Sequence, residues 1–181
     1  MSGIDKVKSA HTKLLRVSAL RYQDKKSVLF VCLGNICRSP TAHGVFRSLV
    51  EQRGMAHLIE IDSAGTAAYH VGNPPDHRSA AAALQRGYDL SDLRARQAIS
   101  ADFDHYDYIM AMDKENLSEL KLICPPHFKG YLGLFLDLAE LEVCEVPDPY
   151  YGGATGFEHV LELVEVASEA LLERIAKELN Q

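Results

Sequence analysis

No apolar stretch in this sequence approaches the ~20 residues that a membrane-crossing helix requires; the longest near the start, residues 28–33, has six. A membrane span is therefore excluded, and no hydrophobic centre with a cleavage site marks a secretory signal. Internal repeats, low-complexity tracts and a second domain are also missing. Cysteine is scarce, four in 181 residues. Without a secretory signal, that points to a reducing, cytoplasmic setting in which thiols do chemistry rather than staple the chain. Cys124-Pro125-Pro126-His127 is half of a metal site with no second pair at ligand spacing, so neither metal nor cofactor is expected. Basic residues are few where a nucleic-acid surface would need them. The net charge is −6, yet residues 1–26 hold seven Lys/Arg against two Asp, and the remaining 155 residues hold twelve basic against 23 acidic side chains. So acidic a body argues against nucleic acid as a partner.

What remains is the balance of one soluble domain, 47% hydrophobic and 24% charged, long enough to bury a core unaided. Residues 1–26 read as a separate basic arm, a short helix or disordered, because Ile4, Val7, His11, Leu14 and Leu15 fall at helical steps. From residue 27 to 181 strands and helices alternate. Residues 28–31, 58–61, 108–112 and 131–136 read as strands. Helices are predicted from Ser39-Pro40, with Ser39 as N-cap, to Gly54; from near Asp76 to Gly87; from Asp113 to Pro125; and from after Gly156 to near Leu179. Residues 63–76 and 147–153 read as loops. The expected fold is α/β in three layers, a central four-stranded parallel sheet with helices on both faces. In such sheets ligands sit beyond the carboxyl ends of the strands.

The segment Val31-Cys32-Leu33-Gly34-Asn35-Ile36-Cys37-Arg38-Ser39-Pro40 leaves the first strand at that edge. Gly34 and Asn35 accept left-handed backbone most readily, which lets successive N–H groups turn inward around an anion. The helix that follows adds unpaired N–H groups and its positive dipole end. Arg38 can hold two oxygens of a phosphate in a fork. The same field favours thiolate over thiol on Cys32, and a thiolate beside a bound phosphate is a nucleophile. Ser39 can donate to the sulfur. Cys37, five residues from Cys32, makes the pair sensitive to oxidation. Cys124 and Cys144 read as small packing residues, and His70, His77 and His159 as surface histidines.

Residues 32–40, together with Asp148-Pro149-Tyr150-Tyr151-Gly152-Gly153, resemble the low molecular weight protein tyrosine phosphatase family. Ser63-Ala64-Gly65-Thr66 and Met112-Asp113-Lys114-Glu115-Asn116 match its pattern too. The resemblance covers nearly everything after the arm. It implies a phosphate-binding loop after the first strand and hydrolysis of phosphotyrosine and small aryl phosphates. Cys32 would be the nucleophile, Arg38 the phosphate ligand and Asp148 the general acid and then base. It further implies that Leu33, Gly34, Asn35, Ile36, Cys37 and Ser39 surround the phosphate, with Asn35 and Ser63 supporting the loop. Tyr69, Tyr150 and Tyr151 would wall the cleft against an aromatic ring. The partner is then a phosphotyrosine-containing protein, with the chain itself a monomer or weak dimer. Bacterial relatives acting on phosphoarginine carry Thr where this chain has Ile36, which favours phosphotyrosine. Several relatives also have a His where Arg86 precedes Gly87, so support of the loop is expected to differ there.

Two rivals make different demands. Arsenate reductase of the same fold needs two further cysteines to relay a disulfide off the nucleophile. Residues 63–113 contain none. A phosphotyrosine-binding module with its reaction switched off would lack the nucleophile or the acid, and both are present.

Overall fold

The run of β-branched and apolar residues after Lys25 forms the central strand. In the computed structural model, which describes residues 25–180, β1 spans Lys26–Cys32 and its residues 28–31 are wholly buried. The basic arm, apart from Lys25 and Lys26, lies outside the described residues. Strands β2 (Ile59–Gly65), β3 (Tyr108–Ala111) and β4 (Tyr131–Leu134) complete a sheet of order β2-β1-β3-β4, every pair parallel. Helices α1 (Arg38–Gln52), α2 (His77–Gln85), α3 (Asp102–His105), α4 (Lys114–Ile123) and α5 (Ala154–Leu179) cover it.

Both faces of the sheet are buried, which explains why β1 reads as a continuous apolar run rather than an alternating one. Val28, Phe30, Tyr108 and Met110 pack with α1 and α5, including Phe46, Val160 and Leu171. Leu29, Val31, Ile109 and Ala111 pack with Phe103 of α3 and Leu120 of α4. Phe30 sits at the centre of the larger cluster, its ring edge-on to Phe46 at 5.6 Å and to Phe135 at 5.0 Å.

Several boundaries differ from the sequence expectation, each for a tertiary reason. Strand β2 runs on to Gly65, three residues into the expected loop, because Ser63, Ala64 and Gly65 pair with Phe30, Val31 and Cys32. Small and polar residues carry little strand propensity alone; here a central partner imposes the pairing. Strand β4 ends at Leu134, and residues 135–138 turn into a 3-10 helix that drives Phe135 and Leu136 into the core. Helix α1 begins at Arg38, with Cys37 at its N-cap and no capping side chain. Ser39 is thus inside the first turn, not at the cap, and its hydroxyl is turned elsewhere. Asp76 caps α2, which begins near it as expected, and Asp113 caps α4, the two accepting from Arg78 N and Asn116 N.

The strand order creates the site. From β1 the chain steps to β2 on one side, then crosses β1 to reach β3 on the other. The connections leaving β1 and β3 therefore diverge at adjacent carboxyl ends and open a crevice between them. Residues 33–37 follow β1 there, and Met112-Asp113 follow β3, with Met112 N donating to Val31 O at 3.0 Å.

One buried group links this fold to pH. His43 on α1 is 6% exposed and its Nδ1 has no hydrogen-bond partner among the described residues. Burial, and then the Arg47 charge, push it down to about 4. The unfolded chain, with an ordinary histidine near 6.5, binds a proton that the folded chain refuses. The resulting stability is complete above pH ~6.5 and is lost as pH falls towards 4, by up to about 3 kcal/mol. Denaturant unfolding across pH 4–7 is expected to show this slope in the wild type, reduced in His43→Gln.

Candidate active site

Strand β1 delivers Cys32, 3% exposed, to the crevice, and the chain then turns sharply. Asn35 makes the turn at φ 55, the one non-glycine residue in the left-handed region among the described residues. Gly34 does not share that conformation, contrary to expectation. What it supplies is room, since a Cβ there would lie 2.9 Å from His70 Cδ2. Asn35 is locked from three sides: Nδ2 donates to Ser39 Oγ at 2.9 Å and to Ser63 Oγ at 3.0 Å, and Oδ1 accepts from Arg96 N at 2.9 Å. Its own N–H points at the sulfur, Asn35 N to Cys32 Sγ at 3.3 Å.

The Ser39 hydroxyl, freed from capping, lies 3.1 Å from Cys32 Sγ and 3.2 Å from Ala64 O. With Asn35 donating to this oxygen, its proton can go to the sulfur or to the carbonyl. Asn35 and Ser39 are 2% and 0% exposed and do not line the cavity. Their side chains shape the loop from beneath.

Arg38, 4% exposed, is oriented by the carboxylate that caps α4. Asp113 does both: Oδ1 accepts from Asn116 N at 2.7 Å, and Oδ2 accepts from Arg38 Nη1. The usable signal was positional, because Asp113 follows β3 at the same crevice. Arg38 Nη1 also donates to Val146 O at 3.2 Å, and Nη2 reaches Asp148 Oδ2 at 3.4 Å. Burial opposes the Arg38 charge, but the nearby Cys32 sulfur and Asp113 outweigh it and hold the guanidinium above its ordinary value.

These side chains share a cavity of about 250 Å³. Cys32, Arg38 and Asp148 meet in it, although 110 residues separate Arg38 from Asp148. Leu33, Gly34, Ile36, Cys37, Tyr69, Tyr150 and Tyr151 also line it. The two adjacent tyrosine rings stand nearly perpendicular, centroids 5.0 Å apart, and Tyr151 is 94% exposed. His70 lines the cavity too and packs on Gly34, so it is a site residue and not an ordinary surface histidine.

Burial, opposed by the Ser79 hydroxyl and reinforced by the Asp76 charge, pushes the Cys37 thiol up to about 12. Cys124 and Cys144 pack partly buried against the smaller core cluster and take no part in the cavity. Arg86 pairs with Glu158 and Glu165 of α5, while loop support comes from the Arg96 backbone.

A parallel sheet that presents a buried cysteine, an N–H aimed at its sulfur, a helix N-terminus and a guanidinium at one crevice is an α/β domain with the chemistry to meet an anion there. Residues 27–181 match the family "Low molecular weight phosphotyrosine protein phosphatase", and the chain belongs to that family. The Bacillus subtilis low molecular weight protein-tyrosine-phosphatase YfkJ is 42% identical over 153 residues, covering 84% of this chain and 97% of that one. A crystal structure of a protein tyrosine phosphatase from Entamoeba histolytica superposes with a TM-score of 0.82 at 39% identity, over 85% of this chain and 99% of that one. A Drosophila arginine phosphatase also superposes, with a TM-score of 0.77 at 31% identity over 82% and 96% of the two chains.

Proposed function

We propose that this protein hydrolyses phosphotyrosine in protein substrates, and small aryl phosphates, through a cysteinyl-phosphate on Cys32. The observation that carries this reading is the convergence of Cys32, Arg38 and Asp148 on one cavity. In the first step the Cys32 thiolate attacks phosphorus, the P–O bond to the phenol breaks, and the Asp148 carboxyl proton goes to the leaving oxygen. In the second, water attacks the same phosphorus while the Asp148 carboxylate takes its proton. The S–P bond breaks, and thiolate and inorganic phosphate are released. Arg38 and the loop amides hold the equatorial oxygens, whose charge grows on the way to each transition state. A Ser39 hydroxyl donating to the sulfur stabilises it as leaving group in the second step.

The substrate class follows from the walls. Leu33, Tyr69, Tyr150 and Tyr151 suit a flat ring, and Ile36 offers the cavity an apolar side chain where relatives acting on phosphoarginine carry a hydroxyl. Under reducing conditions the wild type is expected to release phosphate from p-nitrophenyl phosphate, and to favour a phosphotyrosine peptide over a phosphoarginine peptide. An inert wild type would support a binding module instead.

Oxidation would act on the same cysteine. Peroxide converts the Cys32 thiolate to a sulfenic acid, and Cys37 then displaces water to form a disulfide. With the Cys37 thiol pushed up to about 12, its attacking thiolate is scarce, so disulfide formation is expected to quicken with rising pH across the neutral range. Activity lost to peroxide should return with dithiothreitol; failure to return would refute the switch.

A further inference from the structure

Asp148 sits on a segment, residues 147–153, with no helix or strand to hold it. Its leading side is tied to the sheet edge: Val146 N donates to Met112 O at 2.8 Å, and Val146 O accepts from Arg38. Past Asp148 the segment's own hydrogen bonds are local, Tyr150 N to Asp148 Oδ1 at 3.0 Å and Gly152 N to Pro149 O at 3.0 Å. Among the described residues, one hydrogen bond reaches this trailing half from elsewhere in the fold. Arg78 Nη1 donates to Tyr150 O at 3.0 Å. The same guanidinium lies 5.1 Å from the Tyr150 ring centroid and 5.0 Å from that of Phe157, within cation–π range of both.

Arg78 is itself anchored. Asp76 Oδ1 accepts from Arg78 N at 2.9 Å and Nε at 3.0 Å, and Oδ2 accepts from Nη2 at 2.9 Å. This two-pronged pairing has a defined direction that a single surface contact lacks, and it holds the Asp76 carboxyl below its ordinary range. The Asp76 backbone N–H donates in turn to Ile36 O at 2.7 Å, inside the loop that follows the nucleophile. A continuous path therefore runs from Ile36 through Asp76 and Arg78 to Tyr150 and Asp148.

We propose that Arg78 is the positioning residue for the general acid. It fixes the carbonyl and ring of Tyr150, and the Tyr150 N–H then sets where the Asp148 carboxyl points. Arg78 does not line the cavity, so it acts on the reaction through Asp148, which the Tyr150 N–H holds. A carboxyl displaced by about 1 Å from the leaving oxygen loses much of its value, on the order of 10²-fold at the upper end. The inference rests on the phosphatase reading above.

The test compares Arg78→Met and Arg78→Lys with wild type on p-nitrophenyl phosphate and on a phosphotyrosine peptide. The peptide's phenol is the poorer leaving group and depends more on the acid. For Arg78→Met, kcat/KM on the peptide is expected to fall roughly 10–100-fold, and on p-nitrophenyl phosphate by much less, while inhibition by inorganic phosphate is unchanged. Arg78→Lys keeps the charge without the planar fork and should fall between. In an Asp148→Ala background, Arg78→Met should cost nothing further, because the group it positions is gone. Equal losses on both substrates, or losses that add to those of Asp148→Ala, would overturn the proposal. With a side chain 37% exposed on the first turn of α2, either variant leaves the core untouched. A wild type that cleaves neither substrate would instead sink the phosphatase reading itself, a separate result.

Discussion

Cys32→Ser is expected to lower kcat on any aryl phosphate by roughly 10⁴-fold or more, while inorganic phosphate still binds. The two halves of that result have different physical origins. Catalysis needs an anionic sulfur, and a serine hydroxyl in the same place stays protonated because no general base stands beside it. Its nearest polar neighbours are Ser39 Oγ and Asn35 N–H, and neither can take a proton. Binding comes from elsewhere: the loop amides, the mouth of α1 and the buried Arg38, none of which the substitution touches. Steady-state turnover together with phosphate titration monitored by NMR checks both halves. Turnover within about tenfold of wild type would mean that the sulfur is not the nucleophile, and loss of phosphate binding in a folded variant would mean that the loop is not the oxyanion site. The same variant, mixed with a lysate of phosphorylated proteins, would retain its targets for identification.

Asp148→Ala carries the second large effect. Losing a positioned acid is expected to reduce kcat by roughly 10²–10⁴-fold, and in the proposed mechanism one carboxyl serves both steps. In the first, kcat/KM should become steeply dependent on the acidity of the leaving phenol, since the phenolate must now depart without a proton. In the second, attack by water on the cysteinyl-phosphate loses its base. The substitution should barely affect stability: the Asp148 side chain is 42% exposed, and its contact with Arg38 at 3.4 Å is one of three that hold that guanidinium. A kcat within about threefold of wild type, in a variant of unchanged melting temperature, would remove Asp148 from the mechanism.

The parts legible in the sequence share one property, that they are local. The strand at residues 28–31, the turn residues Gly34 and Asn35, and the succession of Cys32, Arg38 and Ser39 all lie within a dozen positions. Their chemistry follows from spacing along one strand–loop–helix unit. Asp113 was recognisable as a helix cap because a cap bonds to its own next turn. Asp148 carried no such signal. As an Asp between two prolines it resembles many turn residues, and only likeness to a family singled it out.

What local pattern concealed was partnership across the fold. The second duty of Asp113, the place of His70 over Gly34, and the fork by which Asp76 and Arg78 reach Tyr150 join segments 36 to 75 positions apart. Likewise Ser39 is freed from capping because Asn35 and Cys32 claim its hydroxyl, and residues 63–65 become strand because β1 needs a neighbour.

Residue order alone thus determined the alternating architecture and a cysteine set in a Gly-Asn turn before a helix, since apolar periodicity and turn chemistry act over a few bonds. The sheet's order decided which distant carboxylates, rings and guanidinium groups face that thiol. Crossing β1 between β2 and β3 is what brings the ends of separate connections to one crevice, and the energies that hold them there exist only once the core has packed.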